Sequence, residues 1–310
     1  MKNLSQFTFK QYSNKYVEDL QHIFLVSFGK KMSKEYLMAK YDTSLFGFNP
    51  IATIAYEKQK PVAFYGAIPQ IFKQNDSRFN VAHACDSFTD PNYHRRGLHH
   101  NLALKSYELM AKQDIKMVYA YHSENTFRST KKLGWKEHIT MGRFHVKNNG
   151  FPFGKVYDKL MPKQQRAKAL TKKVKEQQVP LTYLPYINKR RAKQDYTSHF
   201  LNYKNSFNPH FILELNECVF YLKFDVVIMV GYMFYESAEN LKLGLARLKK
   251  LQKSLGYNET LFQLDSSTNQ YKDLKSIIPP LPSWKVGYLA FDSELKIEDF
   301  IFNYADLDTF

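Results

Sequence analysis

Between Thr89 and His100 the chain reads Thr-Asp-Pro-Asn-Tyr-His-Arg-Arg-Gly-Leu-His-His. Two cations and a glycine stand just ahead of an expected helix, from about Leu98 to Lys112. A helix N-terminus has free N–H groups and a partial positive charge, so it attracts an anion. Gly97 lets the backbone approach that anion without a Cβ in the way, and Arg95 and Arg96 reach phosphate oxygens. Leu98, Leu102 and Leu109 fall within about 40° of one another on a helical wheel and can pin the helix to a sheet. The chemistry is that of a phosphate or pyrophosphate site. The plain alternative is a basic turn before a buried helix.

Four histidines, His83, His94, His99 and His100, fall within eighteen residues. Zinc needs three or four convergent ligands. His83 sits in an expected strand and His99 and His100 are adjacent in the helix, so they face different ways and no metal is expected.

The elements around the loop read as a layered α/β fold. Residues 17–40 carry two short helices parted by Gly29. Strands follow at Ile51–Tyr56, Val62–Ile71 and Asn80–Thr89, where Pro91 ends strand pairing. After the helix come a strand at Met117–Tyr121, a polar helix closed by Leu133-Gly134-Trp135, and a strand through Val146. Strands joined by helical crossovers imply a mixed sheet with parallel pairs and helices on its faces. The last third repeats the order: strands at Cys218–Phe224 and Val226–Phe234, a helix at Asn240–Leu255, a strand at Thr260–Leu264, a short helix at Asn269–Ser276 and a strand at Trp284–Phe291. The reading is a fold duplicated in tandem. Residues 1–150 form the first domain, 151–195 a basic linker or bridging helix, and 196–310 the second domain. At the loop-equivalent point the second half reads Gly231-Tyr-Met-Phe-Tyr-Glu-Ser-Ala-Glu-Asn240, whose two Glu would repel a pyrophosphate.

The 310 residues carry 45 Lys and Arg against 29 Asp and Glu, a net +16. Twelve of those cations lie in residues 155–195 against three acids, a local +9, away from the loop. Gln164–Gln178 there is expected to be an exposed helix. The net charge is therefore weak evidence for nucleic acid, and a solvated charged face is the commoner meaning. An apolar share of 44% suits a packed core, and two cysteines, Cys85 and Cys218, cannot build a disulfide scaffold. The N-terminus has no apolar run of signal-peptide length, and the longest apolar run, Val226–Tyr235, falls short of the ~20 residues of a membrane helix. A soluble, cytoplasmic protein is the expectation.

The loop and its strand resemble the acyl-CoA signature of the GNAT superfamily of N-acyltransferases. That signature runs Pro, a polar residue, Tyr, then [Gln/Arg]-x-x-Gly-x-[Gly/Ala] opening a helix. About 30 residues on, Asn125-Thr-Phe-Arg-Ser-Thr-Lys-Lys-Leu-Gly-Trp135 resembles the second signature, an Asn and a short helix ending in Leu-Gly-Phe/Trp. The likeness spans residues 1–146 by pattern and is sharp over 85–135. It is similar to a bacterial branch with a degenerate second GNAT-like domain. His94 stands where Gln or Arg is usual, and His99 where Gly or Ala is usual. Lys131 and Lys132 lie where many members carry the tyrosine they use as general acid.

The resemblance implies acetyl-CoA as co-substrate and an N-acetyltransferase acting on a small amine, an amino sugar being the branch's hint. The strands around Ser87–Thr89 and Met117–Tyr121 would splay. Ser87, Phe88 and Thr89 would pair with the pantetheine arm. The amides of Arg96, Gly97, Leu98, His99 and His100 would hold the pyrophosphate beside Arg95, with Asn125 nearby. A backbone N–H near Phe88 would steady the oxyanion. Asp86 is then the candidate base, or a structural acid at a strand end. Tyr121 or Tyr119 could protonate the thiolate, or simply pack.

Two other readings compete. Fem-type aminoacyl transferases also duplicate this fold, with a basic insertion for transfer RNA. A non-enzymatic nucleic-acid binder would use Lys172, Lys173, Lys175 and Lys189-Arg190-Arg191 on phosphates.

Overall fold

The computed structural model describes residues 5–310 except 152, 154, 155, 157–159, 162, 183, 186–189 and 208. Lys155, Asp158, Lys159 and Lys189 of the basic segment lie outside the described residues. The chain forms two compact units. The first comprises residues 1–72, 77–137 and 287–296, and the second 73–76, 138–286 and 297–310.

In the first unit, β1 (Phe7–Gln11) precedes α1 (Val17–Phe28) and α2 (Lys34–Tyr41). Gly29 ends α1 in the left-handed conformation, φ 67°, which only glycine adopts freely. Then come β2 (Ile51–Glu57), β3 (Lys60–Gln74), β4 (Ser77–Thr89), α3 (Leu98–Ala111), β5 (Met117–His122) and α4 (Glu124–Lys131). The strand order is β1-β2-β3-β4-β5. β1 and β2 are antiparallel, as are β2 and β3, while β4 and β5 run parallel. β2 alternates: Ile51 and Ala55 pack towards α3 with Leu98, Leu102 and Ala103, whereas Ala52, Ile54 and Tyr56 pack towards α1 and α2 with Leu20, Ile23 and Tyr41. A period of two thus places helices on both faces. Each fully buried Leu or Ile contributes roughly 1.5–3 kcal/mol, enough for Leu98 and Leu102 to hold the start of α3 against the sheet.

β6 (Lys136–Lys147) enters the second unit, followed by α5 (Lys163–Val174), β7 (Gln178–Val179), β8 (Lys193–Gln194), α6 (Ser198–Phe207) and β9 (Phe211–Leu215). β10 (Cys218–Phe224), β11 (Ile228–Phe234), α7 (Ala238–Ser254), β12 (Glu259–Asp265), α8 (Asn269–Lys275) and β13 (Leu281–Ala290) complete the chain, β13 passing into the first unit at Gly287. β11 and β12 are parallel, and β12 pairs antiparallel with β6. Both units therefore show the same strand–strand–helix–strand–helix succession around one parallel pair. The apolar run at Val226 is largely β11. Among the described residues no helix is long and apolar enough to cross a membrane.

Three differences from the sequence reading have physical reasons. β1, α6 and β9 went unread: β1 alternates apolar with polar over only five residues, and β9 is equally short. The expected exposed helix is α5, which ends at Val174 and buries Leu170 and Val174 in the second unit's core. A spacing of four puts both on one face, so even a Lys/Gln-rich helix can dock. The basic segment is also partly structural. Arg191 donates to the carbonyls of Ser267, Glu298 and Phe300, and burial brings Lys193 down to about 8.

Candidate active site

The parallel pair of β4 and β5 lasts three rungs, Val81↔Met117, Ala82↔Val118 and His83↔Tyr119. Beyond them each strand runs on, β4 to Thr89 and β5 to His122. Parity in β4 also changes here. Ala82 and Ala84 pack on the α3 face, but Asp86 and Phe88 meet α2 and α1, while Ser87 turns to α3. A strict period of two forbids this, so β4 gains one residue between Ala84 and Asp86, as a bulge does. The change of phase puts Asp86 and Phe88 on the α1/α2 face, where Ala82 and Ala84 alone would have predicted the α3 face.

Asp90 builds the entry to the anion loop. Its buried carboxylate accepts from the Asn92 amide at 2.9 Å, capping the single turn Pro91–Tyr93, and pairs with Lys60 at 2.9 Å. Burial would raise its pKa, but the Lys60 and Asn92 hydrogen bonds outweigh it and hold the carboxyl below its ordinary value. His94 Nε2 lies 3.1 Å from the Thr89 carbonyl. Arg95 (φ 62°) and Gly97 (φ 86°) both take left-handed backbone, and α3 starts at Leu98. The first-turn N–H groups of Leu98, His99 and His100 have no intrahelical acceptor and so open onto this loop. The Arg96 guanidinium lies 4.7 Å from the Tyr93 ring centre and 3.7 Å from Glu57. It is thereby folded back along the loop, while Arg95 is exposed.

On the α1/α2 face, Asp86 Oδ2 accepts from Lys40 Nζ at 2.6 Å and from the Tyr41 hydroxyl at 2.5 Å. The Lys40 side chain is 4% exposed and that of Asp86 21%. Phe88 stacks on Phe64 at 5.3 Å and meets Phe24 and Phe28 edge-on, both at 5.5 Å. Tyr121 is half-buried with its ring 5.6 Å from His83, whereas Tyr119 is fully buried and donates to Gln70 at 2.5 Å.

On the α3 face, Ser87 Oγ and His99 Nδ1 are 2.6 Å apart. His99 is therefore turned in towards β4, while His100 faces solvent. His122, the last residue of β5, is 5% exposed and packs against Phe127 and Trp135. Burial, then repulsion from a charged His99, pulls its pKa down to about 4. Burial likewise lowers that of His99, helped by His100. Asn125 lies in α4, and its side chain falls outside the described residues.

The structure thus gathers Asp86, Ser87, Phe88, Thr89, Arg95, Arg96, Gly97, Leu98, His99 and His100 around one opening, with Tyr121 on its other strand. Lys40, Tyr41 and His122 belong to the same place but carry no local motif. The Lys40 to Asp86 contact spans 46 residues, so no spacing in the sequence could announce it.

Comparison with known proteins bears on both the fold and the loop. Residues 8–137 match the acetyltransferase (GNAT) domain family. No curated protein matches the chain at the level of sequence. The chain is similar in structure to a GCN5-related N-acetyltransferase from Kribbella flavida, with TM-score 0.62 and 10% identity over 94% of this chain and 73% of that one. It is also similar to Saccharomyces cerevisiae N-myristoyltransferase with bound myristoyl-CoA, with TM-score 0.56 and 12% identity over 93% of this chain and 79% of that one. A tandem GNAT protein from the clavulanic acid biosynthesis pathway gives TM-score 0.53 and 10% identity, over 92% of this chain and 98% of that one. The family match thus covers residues 8–137, and over most of its length the chain has the fold of a tandem GNAT protein.

Proposed function

We propose that the protein is a cytoplasmic N-acetyltransferase that moves an acetyl group from acetyl-CoA to a small amine in a ternary complex. The observation that carries the reading is the parting of β4 and β5 directly beside the Arg95-Arg96-Gly97 entrance to α3. Backbone groups of Ser87–Thr89 take the pantetheine arm. The amides of Arg96 to His100 take the pyrophosphate with the exposed Arg95 side chain, Arg96 joining when it leaves Glu57, and Asn125 is assigned to the cofactor by its place in the second signature. The acceptor comes from the α1/α2 face, towards which Asp86 and Phe88 both point.

The chemistry balances without a further reactant. A neutral amine attacks the thioester carbon, the C–N bond forms, and the carbonyl electrons move to oxygen. The Phe88 backbone N–H steadies that oxyanion. Collapse breaks the C–S bond, and the thiolate takes a proton for which Tyr121 is the candidate donor. The amine's proton leaves through Asp86 or water. Asp86 performs this within its contact to Lys40, so Lys40 and Tyr41 position it.

The test is release of free thiol from acetyl-CoA across amino sugars, polyamines and peptides, with the product weighed by mass spectrometry. An acceptor-dependent rate with a product 42 Da heavier, roughly one acetyl group in place of hydrogen, supports the reading. Thiol release that no amine accelerates overturns it.

A further inference from the structure

Two imidazoles flank the opening on its α3 face, and the reaction as described uses neither. His99 stands on the first turn of α3, tied to β4 through Ser87 four residues past the last rung. His122 stands on β5 three residues past that rung. They lie near enough for a charge on one to oppose a charge on the other. The Nε2 atom of each is buried and has no hydrogen-bond partner among the described residues. Gly287 makes room for the His122 ring, since a Cβ there would come within 2.8 Å of its Cδ2. A buried polar atom left unpaired costs about 1–3 kcal/mol, so two beside one opening are a burden unless a ligand meets them.

Their chemistry selects the ligand. Burial keeps both rings neutral at physiological pH, so they offer phosphate no charge. A neutral imidazole has one donor and one acceptor nitrogen, and Nδ1 of His99 is committed to Ser87. Each ring therefore keeps a neutral hydrogen-bonding Nε2, which suits an amide group. Pantetheine is a linear arm with two amides.

We propose that His99 and His122 form a side-chain subsite for the pantetheine amides, holding the arm while the Arg-Arg-Gly loop holds the nucleotide. This rests on the acyl-CoA reading. The test is calorimetric titration of the full chain with CoA and, separately, with adenosine 3′,5′-diphosphate, which lacks the arm. His122→Phe should weaken CoA by about tenfold, one hydrogen bond's worth, and leave the diphosphate unchanged, while His99→Phe, on the phosphate-binding turn, should weaken CoA more than the diphosphate. His122→Asn, which keeps a donor and an acceptor, should recover part of the loss. CoA affinity unchanged in both Phe variants overturns the subsite. An equal loss for both ligands also overturns it, by showing a merely structural role. A wild type that binds neither ligand removes the acyl-CoA reading itself, and the subsite with it.

Discussion

At the scale of single residues, the site is a set of ionisable groups whose states are fixed by a few contacts. Asp86 and Lys40 are bonded at 2.6 Å with little solvent around the ammonium. Asp86→Ala strips a buried cation of that partner and should cost about 2–3 kcal/mol in urea unfolding, with Lys40→Met in the same chain recovering much of it. Asp86→Asn should retain acetyl-CoA affinity while lowering kcat, a split that a purely structural acid would not give. His122 supplies a pH signature. Its folded pKa of about 4 lies below the ordinary 6.5, so the unfolded chain takes up the proton first. Its contribution is complete above pH 6.5 and is lost as pH falls towards 4. Wild type should lose about 2 kcal/mol more than His122→Phe between pH 7 and pH 5, read from unfolding curves at both. Equal slopes would refute this account of His122. The Arg-Arg-Gly loop and Asp86 were legible in the sequence because each lies within one local segment. Lys40, Tyr41 and His122 were not, because tertiary packing alone brings them there.

At the scale of elements, the strand and helix succession was readable from periodicity, since β2 to β5 and α3 each carry a clear apolar face. The bulge in β4 was not. The run Ala-His-Ala-Cys-Asp-Ser-Phe contains no proline or glycine, and the extra residue shows only in which neighbours each side chain meets. β3 supports that geometry through Gly66, where a Cβ would fall 2.5 Å from the Tyr41 hydroxyl and 2.8 Å from the Phe64 ring. Gly66→Ala must displace the tyrosine that holds Asp86. It should destabilise the protein by about 1–3 kcal/mol in urea and slow turnover, with CoA affinity unchanged. Unchanged turnover would show that Tyr41 does not position Asp86.

At the scale of the whole molecule, the duplicated order conceals unequal halves. In the second unit β11 and β12 also pair for three rungs, Ile228↔Thr260 to Val230↔Phe262. Beyond them the C-terminal segment takes both lips: Asn303 bridges to Leu264, the Phe302 amide donates to Asp265, and the Phe310 ring lies where a Cβ of Gly231 would be. With Glu236 and Glu239 in place of the cationic loop, we expect this unit to bind no CoA. Arg191, one of the cations a nucleic-acid reading needs, is spent on its own fold, and absence of RNA binding at low salt would exclude that reading. One measurement bears on the central claim most directly: calorimetry of acetyl-CoA against wild type and Gly97→Trp. A side chain at φ 86° is strained and would stand where the pyrophosphate meets α3. Wild type is expected to bind one acetyl-CoA per chain and Gly97→Trp none. No binding to wild type, or undiminished binding to a folded Gly97→Trp, would contradict it.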